Sequence, residues 1–323
     1  MRKKIVVIGG GTGSFITLSG LKKYPFDLSA IVTMMDDGGS TGKLRDQLGV
    51  LPPGDLRQCL IALSDASDTW RKLFNYRFES GDLEGHSFGN ILLSALEKVT
   101  SSYDETVEEA HKIMAVQGKV IPVTHDKSRI HVEYQAGRVV EGEKFIDEKS
   151  IDGDRIKNIS LVPKATLNPK VAGAIEDADY IIVGPGDLYS SIISISAVEG
   201  FKKVFEVSEA KIIYIMNLMT KSSQTPGYSA QDHIDDFARY FGRQPNYVMI
   251  NSEDIPKDVV EYYKTESNDI VVAGSVKNVK VILKPLLSPI RSNKKSLHDQ
   301  VFAHSVIRHD PEKVAAAIVE VVG

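Results

Sequence analysis

A run of glycines near the amino terminus, Gly9-Gly10-Gly11-Thr12-Gly13, has the composition of a phosphate-binding loop. Glycine allows positive φ angles and lets backbone N–H groups come close to an anion. The run follows the apolar segment Ile5–Ile8 and precedes a helical pattern that begins at Ser14. The positive amino-terminal end of that helix would add to the attraction. We therefore predict that residues 9–13 bind a phosphate group; the alternative is a tight strand–helix turn with nothing bound.

A second glycine-rich loop, Gly38–Lys43, directly follows a pair of aspartates. The carboxylates of Asp36 and Asp37 have the chemistry to hold Mg²⁺ or ribose hydroxyls, and the polar groups after them could bind phosphate. We predict a second polar rim of the same site, where Mg²⁺ would arrive with a bound nucleotide and no cofactor is required. A surface loop with a solvated acidic pair is the alternative. The candidate phosphate contacts in this loop are Ser40, Thr41 and Lys43.

Two later loops follow the same plan, because each comes after an apolar strand pattern. One contains Gly184-Pro185-Gly186 and then Ser190, and the other begins at Asn217. Asn90 lies one helical turn after His86, so both side chains could face one crevice. We predict that Gly186, Ser190, Asn217 and Asn90 contribute to a nucleotide site. Helix capping and hydrogen bonding within the core are the alternatives.

Two widespread motifs are matched only in part, and a third is matched at an unsuitable place in the chain. A dinucleotide-binding G-x-G-x-x-G would need glycine where Ser14 stands, although the acids after the second strand keep an NAD-dependent oxidoreductase open as an alternative. A Walker A motif fails, because Leu44 follows its lysine and Asp37 stands at its first glycine. Gly38–Gly42 fits G-x-S-x-G, but it follows only the second strand, too early for an α/β-hydrolase. The sequence assigns no residue a catalytic role.

Short apolar strand patterns alternate with amphipathic helix patterns along most of the chain. Their near-continuous Ile and Val content is typical of strands covered on both faces. The alternation predicts an α/β fold, a Rossmann-like, doubly wound and mostly parallel sheet in a single domain over residues 1–323. Parallel strands end at one edge, so the four loops should meet there. The predicted strands are Ile5–Ile8, Leu28–Met34, Val120–Val123, Ile159–Val162, Tyr180–Val183, Ile212–Met216 and Tyr247–Ile250.

The pattern changes between about residues 127 and 158. Short, polar, strand-like segments occur there, separated by Gly137 and Gly142. We predict a small β-hairpin insertion and not a linker between two domains. The segments are Ile130–Gln135, Arg138–Val140 and Lys144–Ile146.

The composition argues against several classes of protein. The 323 residues are 42% hydrophobic and 25% charged, as in an ordinary globular protein, and the net charge of −4 does not suit a surface that coats nucleic acid. No stretch reaches the ~18 apolar residues of a membrane span, and the single Cys59 cannot form an internal disulfide, so we expect a cytoplasmic protein without membrane insertion. Between Val276 and His298, six basic residues occur without an acid. We expect a lysine-guarded edge strand and no nucleic-acid partner.

Eight short segments, taken in order, resemble the CofD/YvcK family, which contains 2-phospho-L-lactate transferases and bacterial gluconeogenesis factors. They span nearly the whole chain, and the ordered set is more specific than any one segment. Those around Asp36, Pro53 and His86 are similar to the gluconeogenesis-factor branch. The segments are Gly9–Gly13, Asp36–Ser40, Pro53–Arg57, His86–Asn90, Gly184–Gly186, Asn217–Thr220, Gly227–His233 and Arg308–Pro311.

The resemblance implies a Rossmann-like fold and a UDP-sugar ligand such as UDP-N-acetylglucosamine. It also implies a regulatory role in cell shape and wall synthesis on gluconeogenic carbon sources, with protein partners in wall regulation and a homo-oligomer left open. Tyr263 and Arg308 resemble UDP-sugar contacts of the family. A phosphotransferase related to the 2-phospho-L-lactate transferases is the alternative. The chain departs from the family at Ser14, where leucine is usual, and at Asp187, where serine is usual and an acid would repel phosphate.

Overall fold

A parallel sheet forms the centre of the protein in the computed structural model, which describes residues 2–148, 153–289 and 306–323. Its strands, with three that form a separate small sheet, are β1 (Lys4–Gly9), β2 (Asp27–Val32), β3 (Lys119–Pro122), β4 (Arg129–Tyr134), β5 (Val139–Glu141), β6 (Ile156–Val162), β7 (Tyr180–Val183), β8 (Lys211–Ile215), β9 (Tyr247–Asn251) and β10 (Lys280–Lys284). The main sheet has the order β10-β9-β8-β7-β1-β2-β3, and all its neighbouring pairs are parallel. This confirms the predicted doubly wound α/β fold.

Helices cover the main sheet on both faces. Ile5 and Val7 of β1 are buried in one apolar cluster, and Val6 and Ile8 in another, so side chains of one strand pack on opposite sides. The near-continuous apolar strands follow from this double cover. The helices are α1 (Gly11–Leu21), α2 (Gly39–Leu48), α3 (Pro53–Leu63), α4 (Asp68–Asn75), α5 (Phe88–Val99), α6 (Tyr103–Ile113), α7 (Glu143–Glu148), α8 (Pro169–Glu176), a π-helix (Leu188–Ile193) continued by α9 (Ser194–Ser196), α10 (Phe201–Val207), α11 (Ala230–Phe241), α12 (Lys257–Thr265) and α13 (Pro311–Val322).

The predicted hairpin is part of a three-stranded antiparallel sheet with the order β5-β4-β6. Two sequence expectations are wrong here. Lys144–Ile146 lies in helix α7 and not in a strand. Ile159–Val162 belongs to β6 of this small sheet and not to the parallel sheet. A short apolar run does not reveal its partner strand, since buried strands of either sheet type give the same run.

The lysine-guarded segment and the second glycine loop have different outcomes. β10 is the edge strand of the main sheet, which confirms the expected edge strand over Lys280–Lys284. Arg291, Lys294 and Lys295, from the same basic run, lie outside the described residues. The loop Gly38–Lys43 is shorter than its sequence suggests, because helix α2 already begins at Gly39. Glycines are poor helix formers, and they concealed this helix start.

Candidate functional site

The glycine loops meet at the carboxyl edge of the main sheet, around the point where the strand order reverses. β1 and β7 are neighbours, and the chain continues from β1 to β2 on one side and from β7 to β8 on the other. Ligands of open α/β sheets bind in the crevice outside the strand ends at such a switch point. The candidate site is therefore this crevice between the elements that follow β1, β2, β7 and β8.

The first loop contacts the third so closely that glycine is required between them. A Cβ atom on Gly13 would lie 1.8 Å from the carbonyl oxygen of Pro185. Next to it, Gly11 has a φ of +51°, in the left-handed region that favours glycine. The loops after β1 and β7 thus form one continuous surface, as the sequence predicted from their positions alone.

Asp55 of α3, which sequence reasoning did not assign to the site, fills the space at the start of α1. Its carboxylate accepts a hydrogen bond from the Gly11 N–H, and a Cβ on Gly10 would lie 2.3 Å from its Oδ2. An acid therefore occupies the position where the first loop would present N–H groups to a phosphate. In the sequence, Asp55 follows Pro53 at a helix start and looks like an ordinary first-turn acid.

Asp36 shares a small acidic space with Asp55. Gly38 N donates to Asp36 Oδ1 at 2.9 Å, and the Thr41 hydroxyl also hydrogen-bonds to this carboxylate. Burial raises the pKa of Asp36. Burial first, and the nearby charge of Asp36 second, raise the pKa of Asp55 well above its usual value. Two carboxylates in this arrangement are not readily ionised together. Either one of them keeps its proton, or a cation lies nearby.

A divalent cation fits this pair better than it fits Asp36 with Asp37. Asp37 Oδ1 accepts from the Lys144 backbone N–H at 2.8 Å, and Asp37 Oδ2 forms an ion pair with Arg129. The described residues contain no group of three or more His, Cys, Asp or Glu that could hold a metal by themselves. Mg²⁺ commonly uses one or two carboxylates together with phosphate oxygens of the ligand. Asp36 and Asp55 have the chemistry of such a pair; the Mg²⁺ site at Asp36 and Asp37 stays a prediction.

The start of α2 is held by a buried polar network. The Asn90 side-chain amide lies 3.4 Å from the hydroxyls of Ser40 and of Thr41, and Arg57 Nε donates to Asn90 Oδ1 at 2.7 Å. His86 Nδ1 lies 3.0 Å from Ser40 Oγ, and burial lowers the pKa of this imidazole. The structure therefore brings three predicted site residues together, and it adds Arg57 as their support. Lys43, one turn along α2, is exposed.

Side chains that follow β8 join the fourth loop to the third. Gly186 N donates to Asn217 Oδ1 at 3.1 Å, so these predicted residues meet. Asp187, whose charge seemed unfavourable beside a phosphate, forms an ion pair with Lys221 at 2.5 Å. The pairing offsets the repulsion that the sequence suggested.

Ser190 is hydrogen-bonded to Gln224, a residue that follows β8. It is buried, and its hydroxyl accepts from Gln224 Nε2 at 3.2 Å. Gln224 Oε1 in turn accepts the backbone N–H groups of Tyr189 and Ser190 at 3.1 and 3.2 Å. Gln224 thus completes the start of the π-helix, a role close to the capping alternative considered for Ser190.

Tyr263 and Arg308 come from distant parts of the chain but are placed near each other. The Tyr263 hydroxyl accepts from the backbone N–H of Val306 at 3.0 Å and of Ile307 at 3.4 Å. Arg308 follows directly and is exposed. Next to it, burial lowers the pKa of His309 to about 4, and this ring hydrogen-bonds to the backbone of Met216 at the end of β8. The Tyr263 hydroxyl therefore helps to position the segment that carries Arg308.

The fold and site define a member of a known family. Residues 5–287 match the family model described as 2-phospho-L-lactate transferase CofD. The chain belongs to the CofD family.

Relatives over nearly the whole length of the chain point to one branch of this family. The "Gluconeogenesis factor" of Bacillus subtilis (strain 168) is 38% identical over 324 residues, which cover 99% of this chain and 98% of that protein. A "Putative gluconeogenesis factor" of Thermotoga maritima is 38% identical over 318 residues, 98% of each protein. These matches confirm the resemblance that the eight segments indicated.

A solved crystal structure supports the fold. A member of the UPF0052 family from Bacillus halodurans superposes with a TM-score of 0.88 at 34% identity, over 99% of each chain. In the part of this chain that the structure describes, no helix is both long and apolar enough to cross a bilayer.

Proposed function

We propose that this protein is a cytoplasmic regulatory protein that binds a nucleotide sugar, with UDP-N-acetylglucosamine as the expected ligand. In the cell it would support shape and wall synthesis during growth on gluconeogenic carbon sources. The observation that carries the ligand class is the pair of glycine-led helix starts, α1 and α2, on either side of the Asp36–Asp55 carboxylates at the switch point. The names of the relatives support the physiological context.

The charge distribution of the crevice suits a nucleoside diphosphate bound with a cation. A pyrophosphate alone would meet two carboxylates, which repel it. A cation between these carboxylates and the phosphates would remove the repulsion, and helix starts and Lys43 would supply donors. Arg308 could hold a phosphate through two parallel hydrogen bonds. We therefore expect Mg²⁺ to strengthen nucleotide binding.

A second candidate function is favoured by the same carboxylates. The matching family model is described as a transferase, and acidic pairs that bind Mg²⁺ beside phosphates are common in phosphoryl-transfer sites. A phosphotransferase would consume its nucleotide, whereas a regulatory protein would release it unchanged. An NAD-dependent oxidoreductase is not favoured, because the likeness to gluconeogenesis factors covers the whole chain.

Calorimetric titration tests both candidates. The protein would be titrated with UDP-N-acetylglucosamine, GDP and NAD, each with Mg²⁺ and with EDTA. Saturable binding of the UDP-sugar, stronger with Mg²⁺, is the expected result, and chromatography of the recovered ligand should show it unchanged. Cleaved ligand would favour the transferase, and binding of NAD alone would overturn the proposal.

Gly11→Val tests whether the first loop takes part. Valine would be strained at a φ of +51°, and its Cβ would lie 3.1 Å from Asp55 Oδ1. Affinity for UDP-N-acetylglucosamine should fall at least ~10-fold, or about 1.4 kcal/mol. Gly81→Val is the matched control, because its φ of +77° is equally unfavourable but its Cβ would meet no atom within 4 Å. A folded Gly11→Val protein with the control's affinity would remove the loop from the site.

Arg308→Lys and Tyr263→Phe separate contact from support. Lysine cannot form the two parallel hydrogen bonds of arginine, so Arg308→Lys should weaken binding by about 1–3 kcal/mol and leave the ligand-free melting temperature unchanged. Tyr263→Phe removes the acceptor for two backbone N–H groups, so it should weaken binding and also lower the melting temperature. Wild-type affinity of Arg308→Lys would return Arg308 to a surface role.

A further inference from the structure

The small antiparallel sheet connects elements on both sides of the switch point. We call β4, β5, β6 and α7 together the clasp sheet. On the main sheet, β2 lies on one side of the β1–β7 pair and β8 on the other. One end of the clasp sheet contacts residues that follow β2, and the other end contacts residues that follow β8.

Five interactions between described residues hold the end near β2. Arg129, the first residue of β4, forms ion pairs with Asp37 and with Asp46 of α2. The Lys144 N–H at the start of α7 donates to Asp37. The remaining two contacts join Arg45 of α2 to the carbonyl of Ser128 at 2.6 Å, and Lys127 to the carbonyl of Gly49.

The end near β8 is held in a comparable way. Arg155, just before β6, forms an ion pair with Asp232 at 3.2 Å and lies over the ring of Tyr228 at 4.7 Å. Asp232 is the acid of the capping box with Ser229 that starts α11. Two further contacts join the hydroxyl of Tyr134 to the carbonyl of Ser223 at 3.1 Å, and Arg239 of α11 to the carbonyl of Lys157 at 2.8 Å.

The two ends are far apart but stiffly connected. Arg129 and Arg155 lie at opposite ends of the β4–β6 ladder, about 20 Å apart at ~3.4 Å per residue. The inner side chains of this ladder, among them Ile130 and Val132, are buried in the same apolar cluster as Val6 and Ile8 of β1. A load applied at one end is therefore transmitted to the other, because a packed sheet does not stretch.

We propose that Arg129 and Arg155 are positioning residues that act as one unit. Through them, the clasp sheet sets the separation of the two crevice walls, which are the elements after β2 and after β8. A nucleotide sugar must bridge these walls. This rests on the proposed function for the identity of the ligand, but the mechanical connection does not depend on it. Arg129 contacts Asp37 and Asp46, and Arg155 contacts Asp232 and the carbonyl of Gly227. Asp37, one residue from Asp36, passes the position of the clasp sheet directly to the acidic pair.

If the clasp sheet couples the two walls, the effects of releasing its two ends on ligand affinity are not additive, unlike those of two separate contacts. Releasing either end frees the same wall movement, so releasing the second end should add little. Independent sites this far apart are expected to be additive instead. The variants are Arg129→Met, Arg155→Met and the double variant, with Arg129→Lys as a charge-retaining rescue. Lys157→Met is the matched control, because it removes only the Lys157–Glu133 pair within the clasp sheet and keeps the backbone carbonyl that Arg239 contacts.

Hydrogen–deuterium exchange of the ligand-free variants tests the connection itself. Arg155→Met should speed exchange in α2, at the far end, by about 2-fold to 10-fold, and Arg129→Met should do the same in the first turn of α11. Lys157→Met should change neither region. Faster exchange confined to the mutated end would overturn the proposal, whatever ligand the protein binds.

Titration with UDP-N-acetylglucosamine and Mg²⁺ then tests the effect on the site. Each single variant should bind about 3-fold to 10-fold more weakly, and the double variant no more than ~2-fold weaker than the poorer single variant. Losses that multiply in the double variant would overturn the proposal. If the wild-type protein does not bind this ligand, the proposed function fails. The exchange result still decides whether the clasp sheet couples the two walls.

Discussion

The helices that follow β1 and β7 begin alike in sequence, but the tertiary structure completes them with different partners. Both start after a strand and a glycine turn. At the start of α1, the partner is the carboxylate of Asp55, whose pKa is raised by burial and by Asp36. At the start of the π-helix, the partner is the neutral amide of Gln224, which satisfies Tyr189, Ser190 and the Ser190 hydroxyl.

This difference separates a binding corner from a structural corner. A neutral amide with three good hydrogen bonds gains nothing by leaving, so the π-helix start is finished. A carboxylate held beside another carboxylate is destabilised, and a cation, a proton or a rearrangement on ligand binding would relieve it. Strain of this kind is commonly found at functional sites. We therefore expect the ligand to bind at the start of α1 and not at the start of the π-helix.

Gly13→Ala should have the largest effect, because it breaks the junction between the two corners. Its Cβ would lie 1.8 Å from the backbone oxygen of Pro185, which cannot move without shifting the third loop. We expect a loss of more than about 3 kcal/mol in the free energy of unfolding, measured by urea denaturation.

Gly186→Ala is the matched control on the other side of this junction. Its Cβ would lie no closer than 3.4 Å to any atom, the nearest being Ser191 Cβ, which is ordinary contact. The loss should stay below about 1 kcal/mol. Equal losses in the two variants would show that the loops are not in the close contact described.

Gln224→Ala should have the next largest effect. It leaves two buried N–H groups and one hydroxyl without this partner, at a cost of about 2 kcal/mol in stability. Because the amide is neutral, the loss should be the same at pH 5 and pH 8, and nucleotide affinity should not change at equal folded fraction. A strong pH dependence of the loss would contradict the view of this corner as neutral and structural.

Asp55→Asn should have the smallest effect on stability, and the opposite sign. The pKa of Asp55 is raised in the folded state, so between its usual value near 3.8 and the raised value the native protein binds more protons than the unfolded chain. Wild-type stability therefore falls as pH rises through that window. Asparagine removes this penalty, so we expect Asp55→Asn to be more stable than the wild-type protein at pH 8.

The gain should shrink as pH falls towards 4, because the wild-type carboxyl is then protonated and, like asparagine, carries no charge. Thermal melts of both proteins from pH 4 to pH 8 measure it, and titration with UDP-N-acetylglucosamine and Mg²⁺ should show weaker binding by the variant. A destabilised Asp55→Asn protein at pH 8 would mean that the acidic pair is a structural element without strain.

The main sheet could be read from the sequence because its signal is local. Runs such as Tyr180–Val183 are buried on both faces, and such burial needs apolar residues at every position. The position of the crevice followed as well, since parallel strands end at one edge and the polar residues follow those ends. The partner of Ile159–Val162 could not be read, because pairing depends on which strand comes near in space.

The site shows the same division. Sequence alone indicated a tight loop over Gly9–Gly13. Positive φ angles and the close approach of neighbouring atoms leave few residues other than glycine tolerable there. Only the tertiary structure decided that Asp55 sits against this loop, that Asp37 turns to Arg129, and that Ser190 faces Gln224. Each of these is a contact between side chains many residues apart, and the spacing of residue types along a chain carries no record of which distant group will fill a given space.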